Sequence, residues 1–249
     1  MSGQKVLGEL VLHYGGEYLN EAIKSIEPYV DKIVILYSSK PSYGFGTSAQ
    51  CPETEEELKN IAFTASNKIE WHNVIAHHEG MHRGLIYRIA EEGNYDGILV
   101  CDADEVMGDL TDILPLCFAS KKRHIGFGKY INFWKSFNYA CYDGFTPIRY
   151  INLHNSDAIG CDVVPAVVYH FSCAQRMPIM EYKLLIHGHK AELRPNWLRD
   201  VYQAWTPTNG IADLHLVAFG CWPQAQPFDK TTMPEILLKH INYNKEVIY

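Results

Sequence analysis

No Cys-x-x-Cys pair occurs in this sequence, and its seven cysteines are an odd number scattered singly. That pattern excludes a zinc ribbon and offers no disulfide framework, so reduced thiols of a cytosolic protein are expected. No run approaches the ~18 consecutive apolar residues that a membrane-crossing helix needs. The N-terminus, MSGQKVLGELVLHYGG, lacks a basic segment followed by a long apolar core and a small-residue cleavage site, which points to a soluble protein that is not exported by the usual route. Positive charge is also scarce. A net charge of −7 gives no global attraction to nucleic acid or to an anionic membrane, so a polyanionic partner would need a local basic patch. Apolar side chains are plentiful, at 47% of the 249 residues with 12% aromatic. That is enough for one large α/β domain, or for a domain with a substantial extension.

The first half alternates in period. KVLGELVLHY reads as a strand, and EYLNEAIKSIEPYV places Leu19, Ile23, Ile26 and Val30 at helical spacing with Pro28 near the end. KIVILY is a second strand, followed by a Gly/Pro/Ser-rich loop and the acidic helix start PETEEELKNIAFTA. A third strand is expected in KIEWHNVI, a helix in HRGLIYRIAEEG and a fourth strand in GILVCD. Strands alternating with helices predict a mostly parallel, Rossmann-like sheet flanked by helices, and ligands of such sheets bind beyond the carboxyl ends of the strands. A core over residues 1–174 and a helical or irregular C-terminal extension over 175–249 are expected, within a single structural domain.

The fourth strand ends in an unusual way. In YDGILVCDADEVMGDL an apolar run meets Asp102, Asp104 and Glu105 within four positions. Hard oxygen ligands converging at a strand end repel one another unless a cation compensates them, and carboxylates at i and i+2 can share one divalent ion. The bland alternative is a solvated turn in which Asp104 or Glu105 caps a helix starting near Val106.

Two enzyme classes place Asp-x-Asp at the end of an α/β strand. Asp102, Asp104 and Val106 fit the pattern of haloacid-dehalogenase-type phosphatases, in which the first aspartate attacks phosphorus. That nucleophile usually follows the first strand, however, and here three expected strands precede it. The wider resemblance is to the nucleotide-sugar glycosyltransferases of GT-A fold. HRGLIYRIAEEGNYDGILVCDADE resembles a segment of family-2-like members, with Arg83, Asp96, Asp102 and Asp104 at the matching places. LHYGGEYLNEAIKSIEPYVDKIVILYS is similar to the family's first β/α/β unit, and VYHFSCAQRMPIMEYKLLIHGHK resembles a bacterial and phage-associated subgroup. The tail, HGHKAELRPNWL through PFDKTTMPEILLKHINYN, is similar to the same subgroup. Tyr37, Ser38 and Ser39 stand where the broad family has Asp-Asp-Gly-Ser, and its Glu-Asp catalytic pair is not evident.

The resemblance implies a metal-dependent transfer of a hexosyl or pentosyl group from a nucleoside diphosphate sugar, with a UDP-sugar such as UDP-glucose favoured, to an acceptor hydroxyl. Mn²⁺ or Mg²⁺ would be held by Asp104 and His170, with Asp102 toward the ribose or the metal. Arg83 and Lys183 would pair with diphosphate oxygens. His13, Tyr14, Glu17, Tyr37 and Ser38 cluster where the nucleoside would lie. Phage association implies a host-cytoplasm location and makes hydroxymethylated DNA bases a possible acceptor, for which SKKRH (120–124) and HKAELRPNWLR would supply local positive charge. A polysaccharide, another glycan or a protein is equally open as acceptor.

A transferase that inverts its sugar needs a group to take the acceptor proton, and Asp143, Asp157, Asp162, Glu192 and His189 are the candidates. YINFWKSFNYACYDGF is expected to be part sheet and part acceptor wall. The group His72, His77, His78 and His82 fits no standard zinc spacing and reads as loop histidines. A sugar- or nucleotide-binding module without turnover is the non-enzymatic alternative.

Overall fold

The alternation of apolar strands and amphipathic helices builds the first half of the chain as expected. The computed structural model describes residues 3–41, 49–76, 78–155 and 159–248, with Glu79 described by its backbone alone. Strand β1 (Val6–Leu12) leads to helix α1 (Gly16–Ile26), which buries Leu19, Ile23 and Ile26 as their spacing requires. Pro28 lies in the single 3-10 turn, Glu27–Tyr29, that follows. Strand β2 (Lys32–Tyr37) comes next, and then α2 (Glu55–Ala65), fixed by a reciprocal capping box between Thr54 and Glu57. Strand β3 (Ile69–Asn73), helix α3 (Glu79–Glu92) and strand β4 (Gly97–Val100) complete the alternating half.

These four strands are parallel in the order β3-β2-β1-β4. The chain therefore steps outward from β1 to β3 and then returns to the other side of β1. The crevice at the carboxyl ends of β1 and β4 is thus the point where strand order reverses. One core packs α1 and α2 on one face of the sheet, and a second packs Ile86 and Ala90 of α3 on the other.

After β4 the helix near Val106 that the solvated-turn alternative required does not form. Glu105–Met107 is instead a short strand, β5, with all three residues buried. Apolar Val106 and Met107 find antiparallel partners in Tyr169 and Val168, which satisfies the backbone as a ladder. Helix α4 (Ile113–Ala119) follows, then β6 (His124–Trp134), β7 (Tyr139–Cys141), β8 (Ile148–Asn152) and β9 (Cys161–Cys173). Strand β8 joins the parallel half to β6, antiparallel to both β4 and β6, while β9 lies parallel beside β6. The aromatic stretch from Tyr130 thus provides the end of β6, a turn and β7.

Residues from 175 onward are helical or irregular apart from one two-residue strand: α5 (Met177–Ile186), short turns, strand β10 (Gln226–Pro227) against β7, and α6 (Glu235–Leu238). Aromatic contacts hold this segment to the core. Trp134 meets Trp197, Tyr202, Trp205 and Trp222 edge to face. Tyr18 is stacked between Phe171 and His240 at 4.4 and 4.7 Å. Among the described residues, no helix is long and apolar enough to cross a membrane.

Candidate active site

Two backbone ladders bring the acidic strand end to a histidine 66 positions away in sequence. Glu105 is in register with His170 across β5 and β9, and Phe171 N–H donates to the Asp104 carbonyl at 2.8 Å. Asn132 is in register with His170 across β6 and β9. His170 Nε2 consequently stands 3.8 Å from Asp104 Oδ1, and Lys183 Nζ of α5 stands 3.7 Å from Asp104 Oδ2. The His170 Nδ1–H donates to Asn132 Oδ1 at 2.8 Å. That bond fixes the tautomer and leaves the Nε2 lone pair on the Asp104 side. Burial, opposed by Asp104, lowers the His170 pKa, so the ring is neutral near pH 7.

Asp102 and Glu105 take different parts. Asp102 accepts from Arg83 Nη2 at 2.7 Å and from Arg149 Nη2 at 3.0 Å, one oxygen each. Burial works to raise its pKa, yet the two guanidinium groups hold the carboxyl well below the usual range. Glu105 is fully buried and accepts from Arg149, from the Tyr130 hydroxyl and from the Asp102 backbone N–H. The triplet is therefore not a solvated turn. Each Asp102 oxygen accepts one guanidinium N–H, which leaves a second lone pair on each.

Beyond Asp104 a cleft of about 230 Å³ opens over the ends of β1 and β4, lined by His13, Tyr14, Asp102, Asp104, Lys183 and His187 among others. Gly15 shapes its floor. With φ +123° it turns the β1–α1 loop against the Asp-x-Asp loop so closely that an added Cβ would lie 3.0 Å from Ala103 Cβ. His13 donates through Nδ1 to the Ser38 carbonyl at 2.7 Å and accepts through Nε2 from the Tyr182 hydroxyl at 2.8 Å. Burial lowers its pKa and raises that of Tyr14.

Other expected residues fall elsewhere. Glu17 faces a separate groove, where it accepts from Arg176 N–H at 3.0 Å and from the Asn242 side chain. It ties α1 to the C-terminal segment. Tyr37 packs on Trp71 at 5.3 Å and does not line the cleft, and the Ser38 hydroxyl donates to Lys40 O at 2.7 Å. Asp96 accepts from Lys5 N–H at the amino end of β4, away from Asp102.

Asp143, His189 and Glu192 do come together, lining a second cavity that touches the first at His187. Asp143 accepts from Trp222 Nε1 at 2.6 Å and from Phe145 N–H at 2.9 Å. His189 and Glu192 form an exposed pair at 3.1 Å. Asp162 is bound to Ser120 at the start of β9, far along the strand from His170, and Asp157 lies outside the described residues. Of the histidine group, His72 pairs with Glu70, His78 caps α3 and His82 donates to the Leu36 carbonyl, while His77 is outside the described residues. Sequence reasoning singled out neither Arg149 nor Asn132, nor Gln175, whose Nε2 donates to Asp104 Oδ2 at 3.2 Å. Arg149 carried a signal, since a lone charge inside the apolar strand IRYIN needs a buried partner.

Fold and site together define an α/β protein with a ligand crevice at the reversal point of its sheet. No protein-family model matches the chain, and no curated protein does. Solved structures do. Glucosyl-3-phosphoglycerate synthase from Mycobacterium tuberculosis, in complex with Mn²⁺, UDP-glucose and phosphoglyceric acid, is 15% identical over 53% of this chain and 44% of its own, with a TM-score of 0.35. The galactosyltransferase LgtC, in complex with donor and acceptor sugar analogues, is 17% identical over 51% and 46%, with a TM-score of 0.28. UTP-bound UGPase from Acinetobacter baumannii is 10% identical over 76% and 97%, with a TM-score of 0.37. The chain spans less than half the length of the first two proteins. At such scores the case for the site rests on its own side chains.

Proposed function

We propose that the chain is a metal-dependent glycosyltransferase that moves a sugar from a nucleoside diphosphate sugar, with UDP-glucose the favoured donor, to an acceptor hydroxyl. The observation that carries this reading is the meeting of Asp104, His170 and Lys183 at the strand-end crevice, at 3.8 and 3.7 Å from the two carboxylate oxygens. The hard carboxylate suits Mn²⁺ or Mg²⁺, and the neutral imidazole with its lone pair free favours Mn²⁺ of the two. Among the described residues no three His, Cys, Asp or Glu side chains are grouped to hold a metal, so Asp104 and His170 would hold the ion only with further ligands from outside the protein. When bound, the ion supplies positive charge against the departing diphosphate.

The protein's own groups divide the remaining work. Lys183 faces the diphosphate, and Arg83 and Arg149 keep Asp102 ionised and oriented to accept from ribose hydroxyls, since each of its oxygens has a second lone pair. His13 and Tyr14 border the nucleoside. Asp143, which accepts from Asn132 Nδ2 at 3.5 Å, accepts the acceptor proton, and Glu192 with His189 lines the same cavity.

A thermal-shift series of nucleotide sugars with and without Mn²⁺ tests the reading, because a ligand that binds only the folded chain raises its melting temperature. Stabilisation by UDP-glucose that requires Mn²⁺ and vanishes in Asp104→Ala is expected. Equal stabilisation of that variant would refute the site.

A further inference from the structure

Charge is segregated across His170. On the donor side Lys183 lines the cleft, with Arg83 and Arg149 bound to Asp102. On the other side lies the second cavity, about 500 Å³, lined by Tyr130, Asp143, Phe145, Glu192, His215 and Trp222 among others. No lysine or arginine is among its lining residues in the described part of the chain. Burial lowers the pKa of His187 to about 4 and also lowers that of His215, so neither is a cation near pH 7. A phosphate entering here would meet the carboxylates of Asp143 and Glu192, while the cations behind the wall are turned onto backbone oxygens, Lys183 to Ser172 O and Arg194 to His215 O, both at 3.1 Å.

The walls suit something else. Phe145 is 62% exposed although its ring meets that of Tyr130 in a T-shaped contact at 6.1 Å, so an aromatic side chain is open beside Asp143. Asp143 itself is held still by Trp222 and by Phe145 N–H. The basic stretch at 120–124 does not reach the cavity as a patch. Lys122 Nζ is bound to the Ile159 carbonyl at 2.8 Å, and Arg123 stands over Tyr87 in a surface hollow with Glu91 and Asp96.

We propose that this cavity takes an uncharged saccharide as acceptor, its apolar ring face on Phe145 and its reacting hydroxyl on Asp143. The proposal rests on the glycosyltransferase reading and names its acceptor class. In the step it implies, the acceptor oxygen bonds to the anomeric carbon as its proton passes to Asp143. The bond from that carbon to the diphosphate oxygen breaks, and its electron pair leaves with the nucleoside diphosphate.

The test uses the full chain with UDP-glucose and Mn²⁺, and detects products by mass spectrometry. The probes are a panel of methyl glycosides and disaccharides, glucose 6-phosphate, and a duplex containing hydroxymethylcytosine. Transfer to a neutral saccharide is expected, with kcat/KM at least about tenfold above that for the phosphorylated sugar. Phe145→Ala should raise the saccharide KM roughly tenfold, the scale of one lost stacking contact, and Phe145→Trp should restore it. Transfer to glucose 6-phosphate or to the duplex as well as or better than to any neutral sugar would overturn the acceptor class. Donor hydrolysis with no saccharide accepted would also overturn it while leaving the donor site standing. Neither binding nor hydrolysis of the donor would sink both.

Discussion

Replacing Asn132 with leucine tests whether the His170 tautomer is built for a metal. Asn132 is 3% exposed and receives the Nδ1–H of His170 at 2.8 Å. Leucine fills similar volume but offers no acceptor, so a buried imidazole N–H loses its partner. That loss costs about 1–3 kcal/mol of folding stability. The imidazole is then free to carry its proton on Nε2, the nitrogen that faces Asp104 3.8 Å away. Loss of such an orienting partner typically weakens metal binding by about 10–100-fold, or roughly 1.4–2.7 kcal/mol. The assay is a Mn²⁺ titration in the presence of UDP, read by electron paramagnetic resonance of the free ion, beside a urea melt of the same sample. Asn132→Asp separates the two effects: it keeps an acceptor for the His170 N–H while losing the amide donor to Asp143 at 3.5 Å, so its stability should fall but its Mn²⁺ affinity should not drop as the leucine variant's does. A leucine variant that loses stability while its Mn²⁺ affinity is unchanged would refute the tautomer argument and leave Asn132 a purely structural residue.

Arg149→Met should be costly for a different reason. It leaves fully buried Glu105 with only the Tyr130 hydroxyl and one backbone N–H, and breaking a buried ion pair from one side costs about 3–5 kcal/mol; a urea midpoint implying less than about 1 kcal/mol would contradict that. The pH dependence of stability has a definite sign. His13, His170, His187 and His215 all have lowered pKa values in the folded chain, so between those values and the ordinary ~6.5 the unfolded chain binds more protons. Stability should therefore be fully present above about pH 6.5 and decline as pH falls below it. A melting temperature that rose on going from pH 7 to pH 5.5 would refute this.

How much of this was visible in the sequence depended on whether the cause was local. Strands β1 to β4 and their helices follow from period and caps a few residues long, such as Thr54 with Glu57. The Asp-x-Asp pair stood out because an apolar run delivered it, and His170 because another apolar run carried it. Glu17 and Tyr37 were misplaced in the cleft for the converse reason. Their residue types suit a nucleoside, but which way each faces is set by Asn242 and Arg176 in one case and Trp71 in the other. Strand β5 has only three residues and exists because β9 pairs with it. No window around Val106 contains that partner. The Asp102–Arg149–Glu105 and His170–Asn132 links likewise join residues 38 to 47 positions apart.

Three carboxylates at one strand end now have their counter-charges: Arg83 and Arg149 on Asp102, Arg149 on Glu105, and Lys183 beside Asp104. Arg149 and the two carboxylates it joins are locked by direct hydrogen bonds. Lys183 is held differently, donating to Ser172 O at 3.1 Å and standing 3.7 Å from Asp104. It is the compensation that a divalent ion would replace. Lys183→Met should accordingly act in opposite directions on two measurements. Removing a like charge beside Asp104 should tighten Mn²⁺ binding to the chain alone, by about fivefold for an interaction of about 1 kcal/mol in this partly hydrated cleft. The same change removes a cation from the diphosphate, so binding of UDP in saturating Mn²⁺ should weaken, by roughly tenfold for one charge-assisted contact. Both are read by calorimetry on one preparation. Weaker binding of Mn²⁺ alone would mean that Lys183 holds Asp104 in place for the ion rather than competing with it, and the assignment of Lys183 to the diphosphate would fall with that result.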